Sequence, residues 1–557
     1  MGGNGRAWWE DAVVYEVYPR SFADADGNGV GDLPGLRSRL PYLADLGVDA
    51  IWLTPFYPSP LADGGYDVSD YRAVDPLLGT MADFDRLVKD AETHQIRVIV
   101  DLVPNHCSSA HPLFQAALAA APGSAERARF IFRDGRGHDG ELPPNNWKSM
   151  FGGLAWTRVT EADGQPGQWY LHLFDTGQPD WNWRNDEVHA FFEQVIRFWL
   201  DRGVAGLRVD VAHGIYKDPN LPDDFDPDHL LYPVNAPSAY NHRPELQELY
   251  LSWRVVLDSY PADGFPGART AIGEVWADTP GTLLPYLTSG GLPQVFNFEL
   301  ITASWSVAGF RDAIDGVLEL AGGSRAPWVI GNHDVPRPAS RYRLDEGYDP
   351  QTINRLVSLG HARAELGARR ARAAALLLLA LPGSAYIYQG EELGLPEVTD
   401  LPSAARQDPR FRRTHGRSPG RDGCRVPLPW TKAGPDFGFS ETTSSAPSWL
   451  PQPPDWGGRS VEAQLGDPGS FLSLYRAALR MRREHPALGR GTLRWLDGPH
   501  AEGLLCFARE PGFVFAANLG PAAVPLPPHR EILLASEPDL LNSDGSLQPD
   551  TAVWLSA

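Results

Sequence analysis

Four polar clusters stand at the ends of apolar runs in this chain: Asp101, Asn105 and His106; Arg208, Asp210 and His213; Glu274; and His333 with Asp334. Carboxylates that close an apolar strand are costly unless paired or used, so Gly-Leu-Arg-Val-Asp at 206–210 calls for a functional account. One such cluster is equally well a structural ion pair, but four in register at strand ends are hard to read that way. Cleavage of a glycosidic bond needs one carboxylate as nucleophile and one carboxylic acid to protonate the leaving oxygen, about 5 Å apart. Asp210 and Glu274 fit those places. Arg208, two residues before Asp210 on a strand, projects to the same side and would keep the nucleophile ionised and oriented. Asp334 is a third carboxylate whose natural partners are sugar hydroxyls, with His106 and His333 beside the same ring.

Eight short β-branched or aromatic runs could carry these clusters: Val13–Tyr18, Ala50–Thr54, Arg97–Val103, Val204–Val211, Thr270–Val275, Gln294–Phe298, Trp328–Gly331 and Ala385–Tyr388. Apolar residues at helical spacing separate the first three, over Asp32–Gly47 and Met81–His94. Continuous apolar strands alternating with helices predict a parallel sheet, and eight repeats favour closure into a (β/α)8 TIM barrel, whose C-terminal mouth would gather the four clusters. No Gly-x-Gly-x-x-Gly follows the first strand, which removes the main support for a dinucleotide-binding sheet. The expected organisation is a barrel over 1–105 and 181–484, interrupted by an inserted subdomain at 106–180 rich in Gly, Pro, Trp and Asn. A long loop at about 400–469 follows the eighth strand, and alternating short strands at 485–557 predict a small C-terminal antiparallel β-domain.

With 557 residues, 43% hydrophobic and 21% charged, the chain reads as globular, and a net charge of -21 argues against nucleic acid as a partner. The apolar run Ala373–Leu381 stops at Pro382, half of what a membrane span requires, so no membrane association is expected. Cys107, Cys424 and Cys506 cannot all pair, and the N-terminal segment lacks an export pattern; both predict a cytoplasmic setting. No sequence signal bears on oligomeric state.

The stretches DLVPNH at 101–106, GLRVD at 206–210, GEVW at 273–276 and GNHD at 331–334 together resemble the α-amylase superfamily, glycoside hydrolase family 13, over nearly the whole length. The resemblance implies Asp210 as nucleophile, Glu274 as general acid/base and Asp334 as the carboxylate that stabilises an oxocarbenium-like state. DGGYDVSDY at 63–71 is similar to the branch of α-glucosidases and oligo-1,6-glucosidases, implying that Asp63 binds a terminal glucose and Tyr66 stacks on it. RDGCRVPLPW at 421–430 resembles the segment that supplies an arginine to that glucose, here Arg425. Phe151 and Phe174 resemble aromatic wall residues of the pocket, although subdomain core is an equal reading of either.

A retaining, exo-acting α-glucosidase working on short oligosaccharides or aryl and alkyl α-glucosides is therefore expected. A transglucosidase or a sucrose- or trehalose-type isomerase shares the same intermediate, and a catalytically inactive carbohydrate-binding protein is the distant alternative. Val211 resembles the residue of 1,6-preferring members, yet Val-Ala-His at 211–213 departs from both usual patterns and leaves linkage open. Asp24, Asp26, Asn28 and Asp32, with the carbonyl of Val30, have the spacing of calcium ligands, but Gly35 stands where an EF-hand has its closing glutamate. Spacing alone leaves a plain acidic turn as the lesser alternative; the resemblance implies a structural Ca2+, and the chemistry needs no organic cofactor.

Overall fold

Eight apolar segments form one parallel sheet: β1 (Val13–Val17), β2 (Ala50–Leu53), β3 (Arg97–Leu102), β4 (Gly206–Val209), β5 (Thr270–Gly273), β6 (Gln294–Val295), β7 (Pro327–Val329) and β8 (Ser384–Tyr388). Their order is β7-β8-β1-β2-β3-β4-β5-β6, with every pairing parallel. All strand residues except Arg97 at the start of β3 are buried, which is why the strands read as continuous apolar runs rather than as alternating ones. Curled into a barrel, the sheet closes between β6 and β7 without a backbone ladder among the described residues. There Asn297 Nδ2 donates to Pro327 O at 2.7 Å across the joint. This computed structural model describes residues 7–224, 238–277, 280–288, 290–320, 326–440, 446–489, 491–496 and 503–557. Residues 1–6 of the segment read for an export pattern, 441–445 of the long loop, and 490 and 497–502 of the C-terminal region lie outside them.

The helices follow from their caps and apolar faces. Met81–Thr93 begins with a reciprocal capping box between Thr80 and Asp83 and buries Phe84, Leu87 and Ala91. The helix expected over Asp32–Gly47 is two, Leu33–Ser38 and Leu40–Leu46, broken at Arg39 because Pro41 cannot continue a helix but suits the start of a new one. The apolar run at Ala373–Leu381 falls in the helix Ala364–Ala380, buried without interruption from Arg370 to Ala380. No helix among the described residues is long and apolar enough to cross a membrane.

Between β3 and β4 an antiparallel sheet of Phe132–Arg133, Trp156–Thr160 and Pro166–Leu171 stands over the barrel mouth, and His106 and Asp180 bridge to each other where this insertion leaves and returns. A five-stranded antiparallel sheet follows the helix Phe471–Glu484, ordered Leu493–Trp495, Leu504–Arg509, Phe513–Asn518, Thr551–Ser556, Glu531–Ala535. It docks where the helix Ala364–Ala380 ends. The orphan carbonyls of that last turn accept from guanidinium groups, Arg482 Nη1 on Leu379 O at 2.7 Å and Arg509 Nη1 on Ala380 O at 2.5 Å, while Trp554 Nε1 donates to Leu376 O at 3.0 Å.

Candidate active site

The parallel register sets Asp101 on β3 beside Arg208 on β4, and Asp210 and Glu274 follow the last residues of β4 and β5. Arg208 then reaches three carboxylates. Its Nη1 lies 2.9 Å from Asp101 Oδ1 and 2.7 Å from Asp210 Oδ1, and its Nη2 lies 2.7 Å from Glu274 Oε2. Glu274 also accepts from the Val211 amide at 3.1 Å and from Trp276 Nε1 at 3.1 Å. Val211 sits at φ +44°, a left-handed conformation unfavourable for a β-branched residue, so the turn after Asp210 is strained where the chain must leave β4 and still meet Glu274.

One guanidinium cannot compensate three buried carboxylates, and the excess charge appears as raised proton affinity. Burial drives Asp210 well above the usual carboxylate range; Arg208 opposes this, and Glu274, Asp101 and Asp334 reinforce it. Asp101 is pushed up to about 6 by burial against the pull of Arg208. Asp334 behaves oppositely: burial would raise it, but His333, Arg421, Arg425 and Arg208 hold it well below the usual range. Arg421 Nη1 lies 3.0 Å and Arg425 Nη2 2.8 Å from Asp334 Oδ1.

A proton chain underlies this layer. Glu16 of β1 lies 2.5 Å from His333 Nδ1, His333 Nε2 lies 2.8 Å from the Tyr66 hydroxyl, and that hydroxyl lies 3.0 Å from Asp101 Oδ2. Burial raises the Glu16 carboxyl and lowers the His333 imidazole, and at the end of the chain the Tyr66 hydroxyl donates to Asp101.

Above these groups opens a cavity of about 930 Å³ including its mouth. Asp210, Glu274 and Asp334 form its floor. Asp63, Tyr66, His106, Phe151 and Phe174 line it together with Arg421, Trp276, Tyr348, His213 and Arg410. One end is shut by the ion pair of Arg421 Nη2 with Asp63 Oδ1 at 2.5 Å, braced by Gln178 Nε2 at 3.2 Å from Asp63 Oδ2 and 3.0 Å from His106 Nε2. The loop presenting Asp63 is shaped by Asp67, which accepts from the amides of Ala62 and Asp63 at 2.9 and 3.1 Å. His106 is neutral, pushed down to about 3 by burial and by Lys217. Lys217 is itself locked by Asp180 at 2.7 Å, Asn105 Oδ1 at 2.5 Å and Gly214 O at 2.7 Å, which ties the insertion to the loops after β3 and β4. Phe151 and Phe174 stand edge to face at 5.6 Å, and Arg421 lies 5.0 Å over the Phe151 ring.

Of the residues expected from sequence, eight reach the cavity: Asp63, Tyr66, His106, Phe151, Phe174, Asp210, Glu274 and Asp334. Arg208, His333 and Arg425 lie beneath it. Arg421, not Arg425, meets Asp63; Arg425 instead holds Asp334 and donates to His333 O at 2.9 Å. Arg421 opens the same RDGCRVPLPW stretch, so the signal was adjacent. Glu16, Gln178, Trp276, Tyr348 and Arg410 were not singled out; only Glu16, a lone carboxylate inside Val-Val-Tyr-Glu-Val, was visible in the sequence as anomalous.

The loop at 24–32 gathers carboxylate oxygens of Asp24, Asp26 and Asp32 within 4.8 Å of one another. Asp24 accepts from the amides of Gly27 and Gly29 at 2.7 and 2.9 Å and from Ser440 Oγ at 2.6 Å, while Asp32 also caps the helix Leu33–Ser38 through Gly35 N at 2.6 Å. No lysine or arginine among the described residues forms an ion pair with them, and burial pushes Asp32 up to about 6. Hard oxygen donors with uncompensated charge fit a divalent cation.

Comparison with known proteins agrees with this architecture. The chain is 38% identical over 524 residues to a probable α-glucosidase of Rhizobium meliloti (strain 1021), covering 91% of this chain and 88% of that one. It is 35% identical over 536 residues to the trehalose-6-phosphate hydrolase of Escherichia coli (strain K12), covering 90% and 88%. The crystal structure of an α-glucosyl transfer enzyme, XgtA, superposes with a TM-score of 0.83 at 36% identity over 99% of both chains. The α-amylase catalytic-domain pattern matches residues 16–491, which span β1 to the start of the C-terminal sheet, and the chain belongs to the α-amylase family.

Proposed function

We propose that this protein is a retaining, exo-acting α-glucosidase that hydrolyses short α-glucosides through a covalent β-glucosyl-enzyme. The observation that carries this reading is the sharing of the Arg208 guanidinium by Asp210 and Glu274, which gathers on one cavity floor the two carboxyl groups a double displacement needs. The blind end made by Asp63, Arg421 and Phe151 admits a terminal sugar and stops a continuing chain, which supports exo action.

A terminal glucose enters with its hydroxyls toward Asp63, Arg421, His106 and Asp334. Glu274 donates its proton to the glycosidic oxygen as Asp210 Oδ attacks the anomeric carbon, and the aglycone leaves as an alcohol. Asp334, held ionised by Arg421 and Arg425, stabilises the positive charge that develops on the ring. Glu274, now a carboxylate, takes a proton from water attacking the same carbon, the bond to Asp210 breaks, and α-glucose departs. The double displacement requires Asp210 to attack as a carboxylate and Glu274 to act as the acid.

The similarity to an α-glucosyl transfer enzyme supports a second reading, in which a sugar hydroxyl replaces water in the last step. A product time course with maltose, isomaltose, trehalose, sucrose and 4-nitrophenyl α-glucoside, at low and high substrate, separates the two. Glucose released with retained anomeric configuration is the expected result. New oligosaccharides dominating at high substrate would move the reading to transfer, and no turnover would remove it.

The loop at 24–32 is read as a structural Ca2+ site, with Asp24, Asp26, Asn28, Asp32 and the Val30 carbonyl as ligands. The ion would offset the carboxylate charge and fix the start of the helix Leu33–Ser38 away from the reacting groups. Chelation is expected to lower Tm and Ca2+ to restore it, since an ion at a hundred times its Kd adds about 2.7 kcal/mol. An unchanged Tm with no calcium found by elemental analysis would reject the site. The three free, buried cysteines support a cytoplasmic setting.

A further inference from the structure

Every carboxylate facing the cavity already has an arginine: Asp63 and Asp334 have Arg421, and Asp210 and Glu274 have Arg208. Arg410 is the converse. It lines the same cavity, and no hydrogen bond or ion pair engages its guanidinium among the described residues. The carboxylate of Asp408, which caps this helix, accepts from Arg421 Nε at 2.6 Å, from the Arg421 amide at 3.2 Å and from the Arg410 amide at 2.7 Å. The short helix Pro409–Arg413 holds Arg410 in place, because Arg412 donates to Ala62 O at 2.6 Å and Arg413 Nε to Gly152 O at 2.8 Å.

Its position relates to the leaving group. Glu274 protonates the glycosidic oxygen, so the aglycone lies on the Glu274 side of the glucose. Trp276 donates to Glu274 Oε1 at 3.1 Å, the Tyr348 ring lies 6.4 Å from the Trp276 ring, and Arg410 lines the same cavity as these three. Glu274, Trp276, Tyr348 and Arg410 thus form a wall running outward from the reacting bond. On a chain of net charge -21, an anionic substrate is repelled unless a local cation receives it.

We infer that Arg410 is a specificity-determining residue that receives an anionic group, carboxylate or phosphate, on the aglycone of the α-glucoside. This rests on the α-glucosidase reading above and names the substrate class for the same pocket. A guanidinium at a partly dehydrated pocket mouth binds either oxyanion through charge-assisted, bidentate hydrogen bonds.

The test compares kcat/KM for two matched pairs, trehalose with trehalose 6-phosphate and α-glucosyl glycerol with α-glucosyl glycerate, in the wild type and in Arg410→Gln. The expected result is a preference of about tenfold or more for the anionic member of at least one pair, weakened by salt and lost in Arg410→Gln. Which pair shows it distinguishes phosphate from carboxylate. Arg410→Lys is expected to keep part of the preference. Equal or better use of both neutral members by the wild type would overturn the inference while leaving the α-glucosidase reading intact; a preference that survives Arg410→Gln would overturn the role of Arg410. Failure to cleave any α-glucoside would overturn both.

Discussion

Asp210→Asn is expected to lose turnover by about 10⁴-fold or more and to melt at a higher temperature than the wild type. The loss follows from removing the atom that bonds the anomeric carbon. The gain in stability follows from the cluster: burial and the neighbouring Glu274, Asp101 and Asp334 raise Asp210 well above an ordinary carboxylate. A raised acid stabilises the fold below its unfolded value, near pH 4, and that contribution is lost as pH rises through the folded value. Asn carries no ionisable proton and escapes the loss. The increase in Tm, about 2 °C or more, should therefore be absent near pH 4 and grow toward neutral and alkaline pH. A lower Tm at pH 8 would show that the pairing of Asp210 with Arg208 outweighs its burial.

Glu274→Gln is expected to reduce maltose hydrolysis by about 10²–10⁴-fold, because the aglycone then leaves unprotonated. The two half-reactions respond differently. The 4-nitrophenolate of an aryl α-glucoside leaves without a proton, so its release survives and the glucosyl-enzyme accumulates when water is not activated. Azide attacks without surrendering a proton and should restore turnover of the aryl substrate, giving α-linked glucosyl azide because it enters on the face opposite the β-bond to Asp210. Absence of azide rescue, or a β-linked product, would reject the assignment of the two carboxylates. The Gln side chain can still accept from Val211 N and Trp276 Nε1, so near-normal folding is expected.

The barrel was legible because its strands are buried on both faces, and burial writes continuous apolar runs into the sequence. Where residues serve a turn instead, the reading overran. The runs expected at Gln294–Phe298 and Trp328–Gly331 are strands only over Gln294–Val295 and Pro327–Val329, since Phe298 already precedes the helix Glu299–Thr302 and Gly331 opens the loop to Asp334. Asp210 and Glu274 on the cavity floor were legible because each closes a strand, and Asp334 because its polar stretch follows one. Glu16 stands out in sequence as a carboxylate in an apolar run, but its role does not, because its partner His333 lies 317 residues away, and the strain at Val211 leaves no trace in residue type. Arg421 and Arg425 are four residues apart and chemically identical, so only three-dimensional placement decides that Arg421 meets Asp63 and Arg425 supports Asp334.

The joint between β6 and β7 has a mechanical meaning. Glu274 hangs from β5 and Asp334 follows β7, so the path between them crosses the one place where the described sheet is held by an amide side chain instead of a ladder. A ladder resists shear because several hydrogen bonds must break together, whereas one bond yields alone. The wall bearing Trp276 and Tyr348 lies along this compliant side, and the wall bearing Asp63 and Phe151 lies along the stiff one. The aglycone wall is thereby the side of the pocket expected to adjust to aglycones of different size.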